Sequence, residues 1–147
     1  MRVLALKVGY VIVHALERIP FISIPGVLVV LRYESRVLLV RHAYGNDGWQ
    51  LPGGLRPWLK SPLVQIREEI GQELGIVPPE LALLGTAKVG AKTIHIFTGE
   101  LTGFRFPKKG VEIAEVGFFQ LHELSKLQPL NTGVAEALLR IGWEIKN

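Results

Sequence analysis

At 147 residues, with 48% hydrophobic and 20% charged side chains, the chain has the length and apolar content of one folded domain. The absence of cysteine excludes disulfides, thiolate metal sites and a thiol nucleophile. A net charge of +4 suits anionic partners such as phosphates, but the lysines and arginines are scattered and not interleaved with aromatic residues, which argues against a nucleic-acid surface.

The first stretch, Val3 to Leu31, is the most apolar. Lys7, His14, Glu17 and Arg18 interrupt it, and Pro20 and Pro25 break it, so no apolar run reaches the roughly 18 residues needed to span a bilayer. Val3 to Ile19 can form a helix with one apolar side, open to packing on the domain, to a dimer interface or to a membrane interface. The polar side lacks the Lys and Arg enrichment of an interfacial helix, so residues 1–23 are read as packed on a domain spanning 1–147 or on a second copy, giving a possible homodimer. Nothing resembles a cleavable secretion signal, and the expected location is cytoplasmic.

From Ile24 the pattern becomes that of strands. Gly26 to Arg32 and Arg36 to His42, joined by a short polar turn, read as a hairpin, and their nearly continuous apolar character implies burial on both faces. Arg41 and His42 close the second strand beside a loop, where ligands collect. Arg41 is therefore a candidate phosphate contact, and His42 is either a second one or a structural residue. For Trp49 two readings stay open, stacking on a base or plugging the sheet edge.

Ser61 and Pro62 mark a helix start, because a Ser side chain accepts from a free first-turn N–H and Pro at the first position gives up a donor the helix cannot use. Gly75 marks its end, in a position suited to the left-handed conformation. At about 100° per residue, Leu63, Ile66, Ile70 and Leu74 form an apolar stripe to be buried, and Gln65, Glu69, Gln72 and Glu73 form an adjoining acceptor stripe. Taken alone, Glu68, Glu69 and Glu73 are an ordinary solvated face. The preceding Trp49-Gln-Leu-Pro-Gly-Gly54 changes the weighing, since paired glycines allow backbone to approach a ligand closely. Acids converging at offsets of three and four residues repel one another until a hard cation such as magnesium or manganese joins them.

The stretch from Gly54 to Ile76 resembles the Nudix box: Gly, five residues, Glu, seven residues, then Arg, Glu, aliphatic, any, Glu, Glu, any, Gly, aliphatic. Gly54, Glu69, Ile70, Glu73, Gly75 and Ile76 match, and Leu51-Pro52-Gly53 leads in as is common in that family. Three positions depart, with Lys60 for the first Glu, Glu68 for the Arg and Gln72 for the first of the paired Glu. Lys60 and Glu68 read as the family's ion pair with its signs exchanged, whereas Gln72 removes a charge.

The resemblance implies an α/β fold, a Nudix-like α/β/α sandwich with a mixed sheet. It implies metal-assisted cleavage of a nucleoside diphosphate linked to another group, so the partner is a small phosphate-containing molecule, a nucleotide derivative. Mg2+ or Mn2+ would be held by Glu69, Gln72, Glu73 and a backbone carbonyl at Gly54, with Gly53 beside the substrate. The alternative is a nucleotide- or phosphate-binding protein with impaired catalysis, and Gln72 is the feature in its favour.

Beyond the box, Val77-Pro-Pro79 enforces an extended link. Leu81 to Val89 and Thr93 to Leu101 flank Gly90-Ala-Lys92 as a second hairpin, in which His95 lies on the face opposite Ile94 and Ile96. Gly103 to Gly110, with Lys108 and Lys109, is either a plain loop or a closure over an anion. Val111 to Phe119 resembles the family's strand after the box, so Glu112 is the expected proton acceptor and Glu115 is held in reserve. Asn131 caps a final structural helix, Thr132 to Ile141.

Overall fold

The computed structural model describes residues 24–44, 48–55, 60–103, 113–124 and 126–127. The N-terminal segment 1–23, the loop with Lys108 and Lys109, Glu112 and the helix expected after Asn131 lie outside the described residues.

A hairpin, β1 (Ile24–Tyr33) and β2 (Arg36–His42), forms the centre of a mixed seven-stranded sheet. The other strands are β3 (Trp49–Gln50), β4 (Gly53–Leu55), β5 (Leu81–Val89), β6 (Lys92–Glu100) and β7 (Ile113–Gln120). The hydrogen-bonded order β3-β2-β1-β6-β5 is extended by β4 on β1 and β7 on β2. Among the described residues only β1 and β6 run parallel, in register from Ile24 opposite Lys92 to Arg32 opposite Glu100. The second hairpin, β5 and β6, lies where the sequence places it.

Beyond its turn the first hairpin divides. Near the turn β1 pairs with β2, whereas further back Gly26 to Leu28 pair with Leu55 to Gly53 of β4. β2 meanwhile takes β3 at Val40 and Arg41 and β7 along its other edge. The loop before the box helix is thereby stitched into the sheet through β3 and β4, where the sequence reading had placed loop.

Burial on both faces of β1 and β2 is borne out. Val27, Val29 and Leu31 of β1, with Leu38 and Val40 of β2, pack under the long helix α1 (Pro62–Leu74) through Ile66, Ile70 and Leu74. Val30, Val37 and Leu39 point the other way and meet Leu51, Ala87, Ile94, Ile96 and Leu124 of the short helix α2 (Leu121–Leu124). The alternation of strand side chains between faces thus sorts one apolar run into two cores. Among the described residues no helix is long and apolar enough to cross a membrane.

Helix α1 starts and stops on the expected signals. Ser61 Oγ accepts from the Val64 amide at 3.3 Å, and Gly75, at φ 66°, donates its N–H to the Gly71 carbonyl at 3.0 Å. Its buried arc differs from expectation. Gln65, Glu69 and Glu73 share the inward side with the aliphatic residues, and Leu63 in the first turn is left 44% exposed.

Gly53 is the tightest point of the framework. Its φ is +148°, and a Cβ there would lie 2.0 Å from the Val27 carbonyl oxygen, a backbone atom held in the β1–β4 ladder. A side chain at this position has to displace strand β1 itself, and a disruption of that kind costs several kcal/mol. Gly53→Ala should lower unfolding free energy by about 3 kcal/mol or more, measured by urea denaturation.

Candidate metal and phosphate site

Glu73, at 2% exposure, and Glu69, at 7%, are buried where α1 crosses the glycine pair. Gly54 lies directly against the Glu69 carboxylate, since a Cβ on that glycine would stand 3.3 Å from Glu69 Oε1. The Gly53 amide hydrogen-bonds toward the Glu73 carboxylate. The ordinary solvated face is therefore excluded for these two acids. It is the right description for Glu68 and Gln72, which lie toward solvent.

On the sheet side His42 faces Glu73, with Nε2 3.6 Å from Oε1, and the Gln50 side-chain amide meets His42 Nδ1. The other carboxylate oxygen, Glu73 Oε2, is buried without a hydrogen-bond partner. An unpartnered buried oxygen on an acid is costly, and proteins relieve it by protonation or by a cation. Burial is the main reason the Glu73 carboxyl is pushed up to about 7 from an ordinary 4.5, and the Glu69 charge adds to the rise. The hydrogen bond and charge of His42 and the Gly53 amide act against it.

The two carboxylates are hard oxygen donors of the kind magnesium and manganese take. The orphaned Oε2 is a position such an ion would satisfy. Among the described residues no three His, Asp or Glu side chains form a closed cage.

The remaining expected site residues fall elsewhere. Alternation places Arg41 with Val37 and Leu39, on the face opposite α1. There its guanidinium lies 5.8 Å from the Trp49 ring centroid and 3.4 Å from Glu115 Oε1. The Trp49 ring meets Phe119 edge-on with centroids 4.9 Å apart and packs against the second core. The plugging role of Trp49 is thus present, with Arg41 across its ring. Lys60 and Glu68 form the expected ion pair, with Nζ at 2.6 and 2.7 Å from the two carboxylate oxygens. Sequence reasoning missed Gln50 altogether and left His42 without an acidic partner. The available signal was parity, because His42 follows Leu38 and Val40 onto the α1 face.

Comparison with known proteins fits this geometry, for the NUDIX domain model matches residues 23–141. The chain belongs to the Nudix family. It is similar to an RNA pyrophosphohydrolase of Halorhodospira halophila, 34% identical over 61 residues that cover 42% of this chain and 33% of the relative. It is also similar to a CMP-5'-(N-acetyl-N-hydroxy-3-aminopropyl)phosphonate hydrolase of Streptomyces rubellomurinus, 27% identical over 137 residues that cover 82% of this chain and 66% of that one. The chain thus spans less than two thirds of either curated relative. Among solved structures, the NUDIX domain of Shewanella oneidensis NrtR, crystallised with ADP ribose, superposes with a TM-score of 0.71 at 16% identity, covering 90% of this chain and 97% of that one. At that identity the likeness speaks for the Nudix fold, and α1 is the Nudix box helix.

The raised Glu73 pKa fixes a pH dependence. Between pH 4.5 and 7 the folded Nudix domain binds more protons at Glu73 than the unfolded chain, so stability falls as pH rises. In EDTA this contribution should amount to about 3 kcal/mol at most across that window, flatten in Glu73→Gln, and be offset by added Mn2+ increasingly toward high pH. Thermal melts from pH 5 to 8 measure it. The Lys60–Glu68 pair is partly exposed, so a double-mutant cycle to alanine should give a coupling of about 0.5 kcal/mol that shrinks in high salt.

Proposed function

We propose that this chain is a divalent-metal-dependent pyrophosphohydrolase, cleaving a phosphoric anhydride in a nucleoside diphosphate linked to a further group. The observation that carries the reading is the buried, unpartnered Oε2 of Glu73 beside Glu69 and the Gly53-Gly54 pair. The hydrolase names of the two curated relatives support it.

In this reading Glu69 and Glu73 hold Mg2+ or Mn2+, with the Gly54 carbonyl and the Gln72 amide oxygen as neutral donors. When bound, such an ion neutralises charge on bridging phosphate oxygens and lowers the pKa of a water, making hydroxide available near neutrality. The residues of the chain do the rest. The Gly53 amide favours the ionised form of Glu73 against the larger opposing effect of burial, and the same glycine pair lets phosphate approach the backbone closely. Glu112 receives the proton of the attacking water. Arg41 and Trp49, on the face opposite α1, stand apart from the two acids and take no part in this reading.

A second reading is a domain that holds a nucleotide derivative without turning it over. Gln72 favours it, because a neutral amide adds no charge to the ion's shell. The ADP ribose in the NrtR structure lends it support from a related fold.

Phosphate release from a panel of nucleoside triphosphates and nucleoside diphosphate sugars, with Mg2+ or Mn2+, tests the proposal. Glu73→Gln should lower kcat by about 100-fold or more, since it removes a charge from the ion's shell. An unchanged rate would take Glu73 out of the machinery. Ligand binding without release by the parent protein would select the second reading.

A further inference from the structure

The box helix presents two buried acids, and the third box position, Gln72, is a neutral amide on the solvent side. With fewer charges to attract a cation, the angle at which each remaining carboxylate is held matters more. Glu69 is set by its close packing on Gly54. Glu73 is approached from the sheet by a side chain outside the Nudix box.

That side chain is His42, at the end of β2. Its ring is held on three sides. The Gln50 amide meets Nδ1, the Tyr44 ring lies 5.7 Å away between centroids, and Nε2 points at Glu73 Oε1 at 3.6 Å. When the Gln50 amide donates to Nδ1, the proton of a neutral imidazole resides on Nε2, the atom facing the carboxylate. An Nε2 proton facing Oε1 at 3.6 Å is too far for a full hydrogen bond but favours electrostatically the rotation of the carboxyl group that leaves Oε2, which has no hydrogen-bond partner, as the oxygen free for another ligand. Support of this kind from outside the ligand set changes metal affinity by about 10- to 100-fold in metal sites generally.

We propose that His42, held by Gln50, is a positioning residue for Glu73: it occupies Oε1 and presents Oε2 to the cation. The assignment rests on the reading of Glu73 as a metal-holding side chain, and the experiment separates the two. Mn2+ binding to the full chain is titrated by the electron paramagnetic resonance signal of the free ion, alongside melting temperature in EDTA.

Glu73→Gln should weaken Mn2+ binding, which establishes the site. His42→Ala should raise the Mn2+ dissociation constant about tenfold. His42→Gln, whose amide reaches a similar point, should recover most of that loss. In the Glu73→Gln background, His42→Ala should add nothing further, because the group it positions is already gone. Should His42→Ala fail to fold, Gln50→Leu frees the ring without touching the acids and should raise the constant in the same direction. A lowered melting temperature with unchanged Mn2+ affinity, in His42→Ala or in Gln50→Leu, overturns the proposal and leaves the metal site standing. Unchanged affinity in Glu73→Gln overturns both.

Discussion

The burial of Glu73 is the constraint around which the rest of the molecule is arranged. An acid at 2% exposure is tolerated only with compensation, because removing a carboxylate from water costs several kcal/mol unless it is paired, protonated or bound to a cation. The surroundings provide part of that compensation through the Gly53 amide and His42, and leave one oxygen without a partner. The rise of its pKa to about 7 records how incomplete that compensation is. A fold optimised for stability alone would place an aliphatic residue there. The retained strain is a reason to read function into the position.

Three separate chain segments have to meet to produce this arrangement. The helix brings Glu69 and Glu73 to one side at an offset of four residues. Strand β4 brings the glycines, and its pairing with β1 allows no side chain at Gly53. The end of β2 brings His42, and the two-residue strand β3 brings Gln50 alongside it. The split of the first hairpin, with β1 turning to β4 while β2 turns to β3 and β7, is what makes room for all three beneath α1. The same alternation that sends His42 toward the acids sends Arg41 to the other face. One strand end therefore carries two different chemistries.

The helix, its caps and both hairpins were legible in the sequence, because Ser61-Pro62, Gly75 and the apolar runs act locally. The Nudix resemblance rested on positions that are also local, Gly54 through Ile76. The inward turn of Gln65, Glu69 and Glu73 was not legible, since helical spacing gives relative angles and leaves the absolute orientation against the sheet undetermined. Leu63 was expected inside for the same reason. Parity could place His42 on the α1 face, but its particular partners Glu73 and Gln50 come from α1 and β3, which no local spacing along β2 reveals. The bulge between Arg41 and His42 further blurs a simple count of alternation.

The departures from the Nudix pattern are not equivalent. Exchanging the signs of an ion pair at Lys60 and Glu68 preserves the contact and its net charge, and partly exposed pairs contribute little whichever way they point. Gln72 in place of an acid changes the balance between the two states of the site. Without the cation, one fewer like charge means less repulsion against the buried acids, so the free protein is easier to fold. In the proposed metal-bound state, one fewer anion means a smaller Coulomb gain, tempered by the exposure of Gln72 to solvent. The substitution therefore moves free energy from the loaded protein to the free one. Under the proposed function, what remains of the attraction would depend on how rigidly Glu69 and Glu73 are held, by Gly54 beside one and by Gly53 and His42 beside the other.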